Sequence, residues 1–261
     1  MTEPAPPPWE CDPLSSFLAT AQYNERVTPL KLPDAYVLLQ RVHAAFEQVA
    51  VSTERENTPN LLPVRILMAR ARGAWLASVR SAMSGQTVEA YPLVRTVIEA
   101  AWYALHIAKD PAPPARAIIW LCRDDNEAAE SRCRNEFRVS NVRATHEALD
   151  ATTAAICAAL YDQTIELGAH PNERGTLTAL RRSEDGQTIN FQAVLLTDDW
   201  KVIALVLKNA VEAAVGALKV FRLIFPERFT IVGIKDEIDG LVAQLNALFA
   251  GYGAAARAAS R

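Results

Sequence analysis

Polar side chains share one face of an otherwise apolar segment near the middle of the chain. The segment from about Thr87 to Asp110 is apolar almost all round, which is typical of a helix buried at the centre of a bundle. At about 100° per residue, Arg95, Glu99 and His106 fall within an arc of roughly 40°, with Trp102 beside them. We therefore expect this polar stripe, defined as Arg95, Glu99 and His106, to face the protein interior.

The polar stripe has two interpretations. Arg95 and Glu99 stand four residues apart and can form an ion pair. If the pair is shielded from water, each side chain must supply the hydrogen bonds and the opposite charge that the other needs. In the structural interpretation the stripe is a clamp that ties its helix to a neighbour. In the functional interpretation it forms a pocket in which Arg95 binds an anion while Glu99 or His106 carries a proton.

A second group of candidates lies in residues 161–175, YDQTIELGAHPNERG. Tyr161 is placed near the end of a predicted helix, and His170 and Asn172 begin the loop that follows. A histidine near a helix C-terminus is favoured when protonated, and one in a loop titrates near neutrality. His170 is therefore the best single candidate for a functional imidazole. In the structural interpretation, its side chain only caps backbone carbonyls and packs the loop. Asn172 suits the cap of a following turn.

The elements that must position these residues are mostly helices. Prolines are concentrated at the start of the chain, which predicts a flexible arm over residues 1–30. Helical spacing across residues 31–250 predicts one all-α bundle domain of about six or seven helices. An Asp-Gly turn between runs rich in Thr, Ile, Phe and Val predicts one small β-hairpin near 176–196. Residues 251–261 lack an apolar stripe, and we expect a frayed tail.

Composition excludes several classes of protein. Half of the 261 residues are apolar and 22% are charged, so the chain is not intrinsically disordered. The net charge is −3, and the arginines of residues 116–143 alternate with acidic residues, which predicts no nucleic-acid partner. No apolar run of about 18 residues is free of charge, so we predict no membrane span. The start of the chain has no signal-like pattern, which predicts a cytoplasmic protein.

The sequence predicts neither a metal site nor a cofactor. The cysteines are far apart and form no C-x-x-C pair, which favours reduced thiols. The run HEALD, residues 146–150, has an aspartate where a zinc-binding H-E-x-x-H motif has its second histidine. No glutamate has a histidine three residues later, as a di-iron bundle requires, and the glycine-rich phosphate-binding motifs are absent.

Three features together resemble a family of bacterial all-helical proteins of unknown function, related in style to HEPN-type bundles. They are LVRTVIEAAW at residues 93–102, the Tyr161 to Asn172 segment and the Asp-Gly hairpin. The resemblance covers roughly residues 60–225 and implies a bundle, without an assigned reaction, in which four side chains converge: Arg95, Glu99, Tyr161 and His170. HEPN nucleases carry an arginine followed after about four to six residues by a histidine. No histidine of this chain satisfies that spacing, which argues against RNase activity.

Three functional hypotheses follow. The first is a non-enzymatic binding or regulatory module of a bacterial cytosol, which the resemblance associates with stress or phage defence. Its partner would be an unidentified protein or a small anionic ligand, and its binding residues would be Arg95, Glu99, Trp102, Tyr161, His170 and Asn172. The alternative is a HEPN-like nuclease or hydrolase that uses His170 or His106 as acid or base. A homo-oligomeric scaffold would instead expose apolar surface on the helix holding Ile203 to Val215 or on the last helix.

Overall fold

A computed structural model describes residues 12–56, 58, 60–169, 177, 180–185 and 188–259. Its α-helices are α1 (Pro13–Lys31), α2 (Pro33–Ser52), α3 (Leu62–Ser84), α4 (Thr87–Ala108), α5 (Ala115–Leu121), α6 (Glu127–Glu136), α7 (Val139–Glu147), α8 (Ala151–Thr164), α9 (Trp200–Ile224), α10 (Pro226–Ile231) and α11 (Ile234–Ala259). A 3₁₀ turn (Arg123–Asp125) precedes α6, and a π turn (Ile165–Ala169) follows α8. The strands are β1 (Leu180–Asp185) and β2 (Thr188–Ala193).

The predicted all-α bundle with one hairpin is confirmed, and the described ranges hold more helices than the six or seven expected. The additional helices are short and lie largely between residues 115 and 147. A side-chain cap begins one of them, because the Asn126 oxygen accepts the backbone N–H of Ala129 at the start of α6. Asp150 begins α8 in the same way. Apolar periodicity alone does not show these breaks.

The predicted flexible arm is wrong for residues 13–30, which belong to α1. The side chain of Asp12 accepts the backbone N–H groups of two residues in the first turn, and Pro13 occupies the first helical position. A proline there costs nothing, since that N–H has no helical partner in any case. The hydroxyl of Thr28 donates to the carbonyl of Met83 (2.9 Å) and ties α1 to α3. Residues 1–11 lie outside the described part of the chain.

The end of the chain also differs from the prediction. Helix α11 continues to Ala259, beyond the expected end of the bundle at residue 250. The predicted hairpin is confirmed, with β1 and β2 antiparallel from Leu180 opposite Ala193 to Asp185 opposite Thr188. None of the described helices has both the length and the apolar character needed to cross a membrane.

Helix α4 lies at the centre of the bundle, as its composition indicates. It packs chiefly against α3 and α9 and is also bordered by α7 and α8. Its aliphatic face is fully buried, as Val94, Val97 and Leu105 show. The apolar stripe of α9 turns inward as well, since Ile203 and Val215 are buried. A homo-oligomeric scaffold would need this stripe of α9 to be exposed, but other parts of the same chain cover it.

Helices α8 and α9 approach each other closely at Gly216. A Cβ atom added there would lie 2.8 Å from the sulfur of Cys157 on α8, closer than packed atoms normally approach. The thiol is almost completely buried, and this burial raises its pKa to about 12. Because a thiol reacts as the thiolate, Cys157 is a packing residue at neutral pH.

This contact predicts coupled effects of two substitutions on stability. Gly216→Ala should destabilise the fold, because the steric cost of the new methyl against the Cys157 sulfur exceeds the stability gained from the higher helix propensity of alanine. Cys157→Ala removes the sulfur, so the double variant should be more stable than the sum of the single effects by about 1 kcal/mol. Urea denaturation of the three variants and the parent measures this coupling. Strict additivity would contradict the proposed overlap.

Candidate functional site

Three of the predicted side chains form one hydrogen-bonded group beside α4. The Arg95 Nε donates to Oε1 of Glu99 (2.9 Å), and the Tyr161 hydroxyl on α8 donates to the same oxygen (2.9 Å). The side chains of Arg95 and Glu99 are 24% and 32% exposed. The expected burial of the whole stripe is therefore wrong for Arg95 and Glu99, whose side chains are partly exposed.

Two arginines lie over the aromatic rings of this group. The guanidinium carbon of Arg143 on α7 is 4.7 Å from the centre of the Tyr161 ring and 5.2 Å from that of Trp102. Arg95 lies 4.9 Å from the centre of the Tyr161 ring. Such contacts place a cation on the negative face of a ring. Arg143 also donates to Oδ1 of Asp162 (2.6 Å), so its position is fixed from two sides.

The Tyr161 phenol acts as a hydrogen-bond donor at neutral pH. Burial and the neighbouring Glu99 carboxylate raise its pKa to about 12. The hydroxyl therefore keeps its proton and donates a hydrogen bond to the Glu99 carboxylate.

The hydrogen bond from Trp102 to His146 joins α4 to the end of α7. The indole Nε1–H donates to Nδ1 of His146 (3.0 Å). Because an indole nitrogen only donates, Nδ1 must be the acceptor, which places the ring proton on Nε2. Burial lowers the pKa of His146, so the ring is neutral. Its Nε2–H is buried and meets no acceptor within the part of the chain that the structure describes.

His106 belongs to a separate group further along α4. Its Nδ1 lies 2.7 Å from the Thr145 hydroxyl, and its Nε2 lies 3.1 Å from Oε1 of Glu136. Arg116 donates to the same Glu136 oxygen (2.7 Å) and to the carbonyl of His106 (2.9 Å). Both ring nitrogens are thus occupied inside the bundle. This geometry favours a structural role for His106, which fastens α4 to α5, α6 and α7.

A cavity of about 230 Å³ opens beside His146, between α4, α7 and α8. It is lined by Trp102, Arg143, His146, Glu147, Ala151, Ala154, Ala155 and Ala158. The four alanines of α8 give it a smooth apolar wall. His146 and Arg143 also line the cavity, and the Nε of Arg143 is likewise buried without an acceptor in the described ranges. The lining therefore combines four alanines with two residues that each carry a buried N–H without an acceptor among the described residues.

The structure brings four of the predicted binding residues together: Arg95, Glu99, Trp102 and Tyr161. His170 and Asn172 lie outside the described residues, so their predicted roles are untested. Sequence reasoning missed Arg143 and His146 as members of the site. Their spacing of three residues on one helix was the available signal, but the contact with Trp102 spans 44 residues and has no local signature.

Comparisons with protein-family models, with curated proteins and with solved structures find no match to this chain.

The two buried histidines predict that stability falls as pH falls below about 6.5. Burial lowers the pKa of His106 and His146 in the folded state. In the unfolded chain a histidine titrates near 6.5, so between pH 7.5 and 5.5 the unfolded state takes up protons first. The free energy of unfolding should therefore decrease across this window. Carboxyl groups with a lowered pKa, such as Glu136, contribute only at lower pH.

Urea denaturation at pH 7.5, 6.5 and 5.5 measures this effect. The variant His146→Gln keeps an acceptor for Trp102 and removes one titrating ring, so it should lose stability less steeply than the parent. An identical pH dependence in the variant would show that His146 is not protonated preferentially on unfolding.

A second prediction concerns the Trp102 indole. Trp102→Phe leaves Nδ1 of buried His146 without a donor and should destabilise the fold by about 1 to 3 kcal/mol. Adding His146→Leu removes the orphaned ring and should recover much of the loss. Trp200→Phe, at a 36% exposed tryptophan, is the matched control and should change stability little. A Trp102→Phe variant as stable as the control would contradict the hydrogen bond.

Proposed function

We propose that the protein is a non-enzymatic binding module whose ligand is a small molecule with acceptor oxygens, such as a carboxylate. The ligand occupies the cavity between α4, α7 and α8. The observation that carries this proposal is that two of the residues lining this cavity, Arg143 and His146, each carry a buried N–H without an acceptor among the described residues.

Unpaired donors are expensive in a folded protein. Each buried N–H without an acceptor costs about 1 to 3 kcal/mol. Native chains rarely keep such groups unless water, an ion or a ligand satisfies them. A ligand oxygen that accepts from His146 and Arg143 would therefore stabilise the folded state, and this stabilisation would grow with the logarithm of ligand concentration.

The cavity also limits the ligand. A volume of about 230 Å³ is below the range of about 300 to 1,000 Å³ usual for drug-sized ligands, so the ligand has few heavy atoms. Glu147 lines the cavity, and Asp162 already pairs with Arg143. These carboxylates offset the positive charge and disfavour a polyanion. We therefore assign a neutral or singly charged acceptor rather than a nucleotide.

The alternative, a nuclease or hydrolase, has no support in the described geometry. His106 has both ring nitrogens occupied, and Nδ1 of His146 is occupied by Trp102. Tyr161 holds its proton with a pKa of about 12. Of the other candidates, Glu99 already accepts hydrogen bonds from Arg95 and Tyr161, and His170 lies outside the described residues. The association with bacterial stress or phage defence rests on the sequence resemblance and remains part of the proposal.

Three small probes test the binding proposal. Acetate and acetamide offer acceptor oxygens, while methylammonium offers donors. Acetate and acetamide should raise the midpoint of thermal unfolding in a concentration-dependent way, and methylammonium at equal ionic strength should not. Ala155→Leu projects into the cavity and should abolish the effect. Ala159→Leu, on the same helix but away from the cavity, is the matched control and should preserve it.

Two results would refute the binding proposal. One is the absence of stabilisation by any acceptor probe, which would leave water as the occupant of the cavity. The other is equal stabilisation of Ala155→Leu and Ala159→Leu, which would show that the probes act elsewhere.

A further inference from the structure

A second cavity, of about 320 Å³, lies on the other side of the bundle between α2 and α3. We call it the α2–α3 groove. It is lined by Phe46, Val49, Ala50, Thr53, Arg65, Met68, Ala69, Arg72, Gly73, Leu76 and Phe221. Phe221 of α9 is fully buried and forms part of its floor. Its volume lies at the lower end of the range of small-molecule sites.

The chemistry of the groove is apolar with a basic edge. Its walls hold two phenylalanines, Met68 and Leu76, and no acidic residue is among the lining residues. Arg65 and Arg72 stand on one stripe of α3, about 10 Å apart at a rise of about 1.5 Å per residue. Arg72 donates to Glu47 (2.8 Å), but its Nε is buried without an acceptor in the described ranges.

Gly73 lines the groove. It lies in the middle of α3, where glycine is about 1 kcal/mol less favourable than alanine. A Cβ atom added there would meet no atom within 4 Å, so packing against the protein does not require glycine. The missing side chain instead leaves space inside the groove, next to Arg72. A close approach by a bound molecule gives this glycine a physical reason.

We propose that the α2–α3 groove binds an amphipathic anion, with an apolar chain and a carboxylate head group. The chain lies against Phe46, Met68 and Phe221 and passes over Gly73. The carboxylate lies beside the guanidinium of Arg72, whose side chain is 29% exposed, and pairs with its charge. This site is separate from the cavity beside His146, so either proposal can fail without the other.

Isothermal titration calorimetry with decanoate, below its micelle concentration, tests this proposal. Decanol has a similar chain without the charge. Arg72→Gln should weaken decanoate binding about tenfold, the effect of losing one charged hydrogen bond, and should leave decanol binding unchanged. Gly73→Leu fills the groove and should weaken both probes at least tenfold.

Gly251→Leu is the matched control, because Gly251 also lies in a helix and a Cβ atom there meets nothing within 4 Å. It should bind decanoate like the parent. If Gly73→Leu fails to fold, Gly73→Ala tests the same part of the α2–α3 groove. It should raise the midpoint of thermal unfolding and weaken decanoate binding by a smaller factor.

Three outcomes would overturn the proposal: no binding of decanoate to the parent, equal binding by Gly73→Leu and Gly251→Leu, or equal loss of decanol and decanoate in Arg72→Gln. The last would show a groove that selects for the apolar chain alone.

Discussion

The hydrogen bond between Trp102 and His146 determines the chemical state of the candidate site. It joins the central helix α4 to the end of α7 and assigns the imidazole its acceptor nitrogen. The ring proton must then sit on Nε2, where the described chain offers no acceptor. Around this bond, Arg143 packs on the Trp102 and Tyr161 rings, and Tyr161 donates to Glu99. The arrangement is preformed, because each of these groups is fixed by a neighbour on another helix.

The polar residues of α4 divide into two groups with different energetic consequences. Around His106, Thr145 and Glu136 satisfy both ring nitrogens, and a satisfied buried network makes a helix contact specific. Around His146 one donor remains unpaired, and partial satisfaction costs stability. Two neighbouring groups, one helical turn apart on α4, therefore differ: the one around His106 is fully hydrogen-bonded, and the one around His146 is not. The distinction depends on which acceptors lie opposite each ring.

The sequence is sufficient to predict α4, because apolar and polar positions repeat at the helical period. It does not predict how far Arg95 and Glu99 are exposed, since that depends on where α7 and α8 end. The contact between Trp102 and His146 joins residues far apart in the chain and follows from packing alone. Helix α1 was missed because prolines suggested an extended arm, whereas Asp12 and Pro13 begin a helix. Long-range contacts and capping residues thus account for the differences between the predicted and the observed structure.

A long-range ¹H–¹⁵N spectrum of the histidine rings, assigned with His146→Gln, reports the charge and the tautomer of His146. At pH 6.5 we expect a neutral His146 ring with its proton on Nε2, because Trp102 donates to Nδ1 and burial lowers the pKa. We also expect acetate to shift the Nε2–H resonance downfield, as a new hydrogen bond to a carboxylate would. A proton on Nδ1, a doubly protonated ring, or a resonance that acetate leaves unchanged would contradict the proposed role of His146.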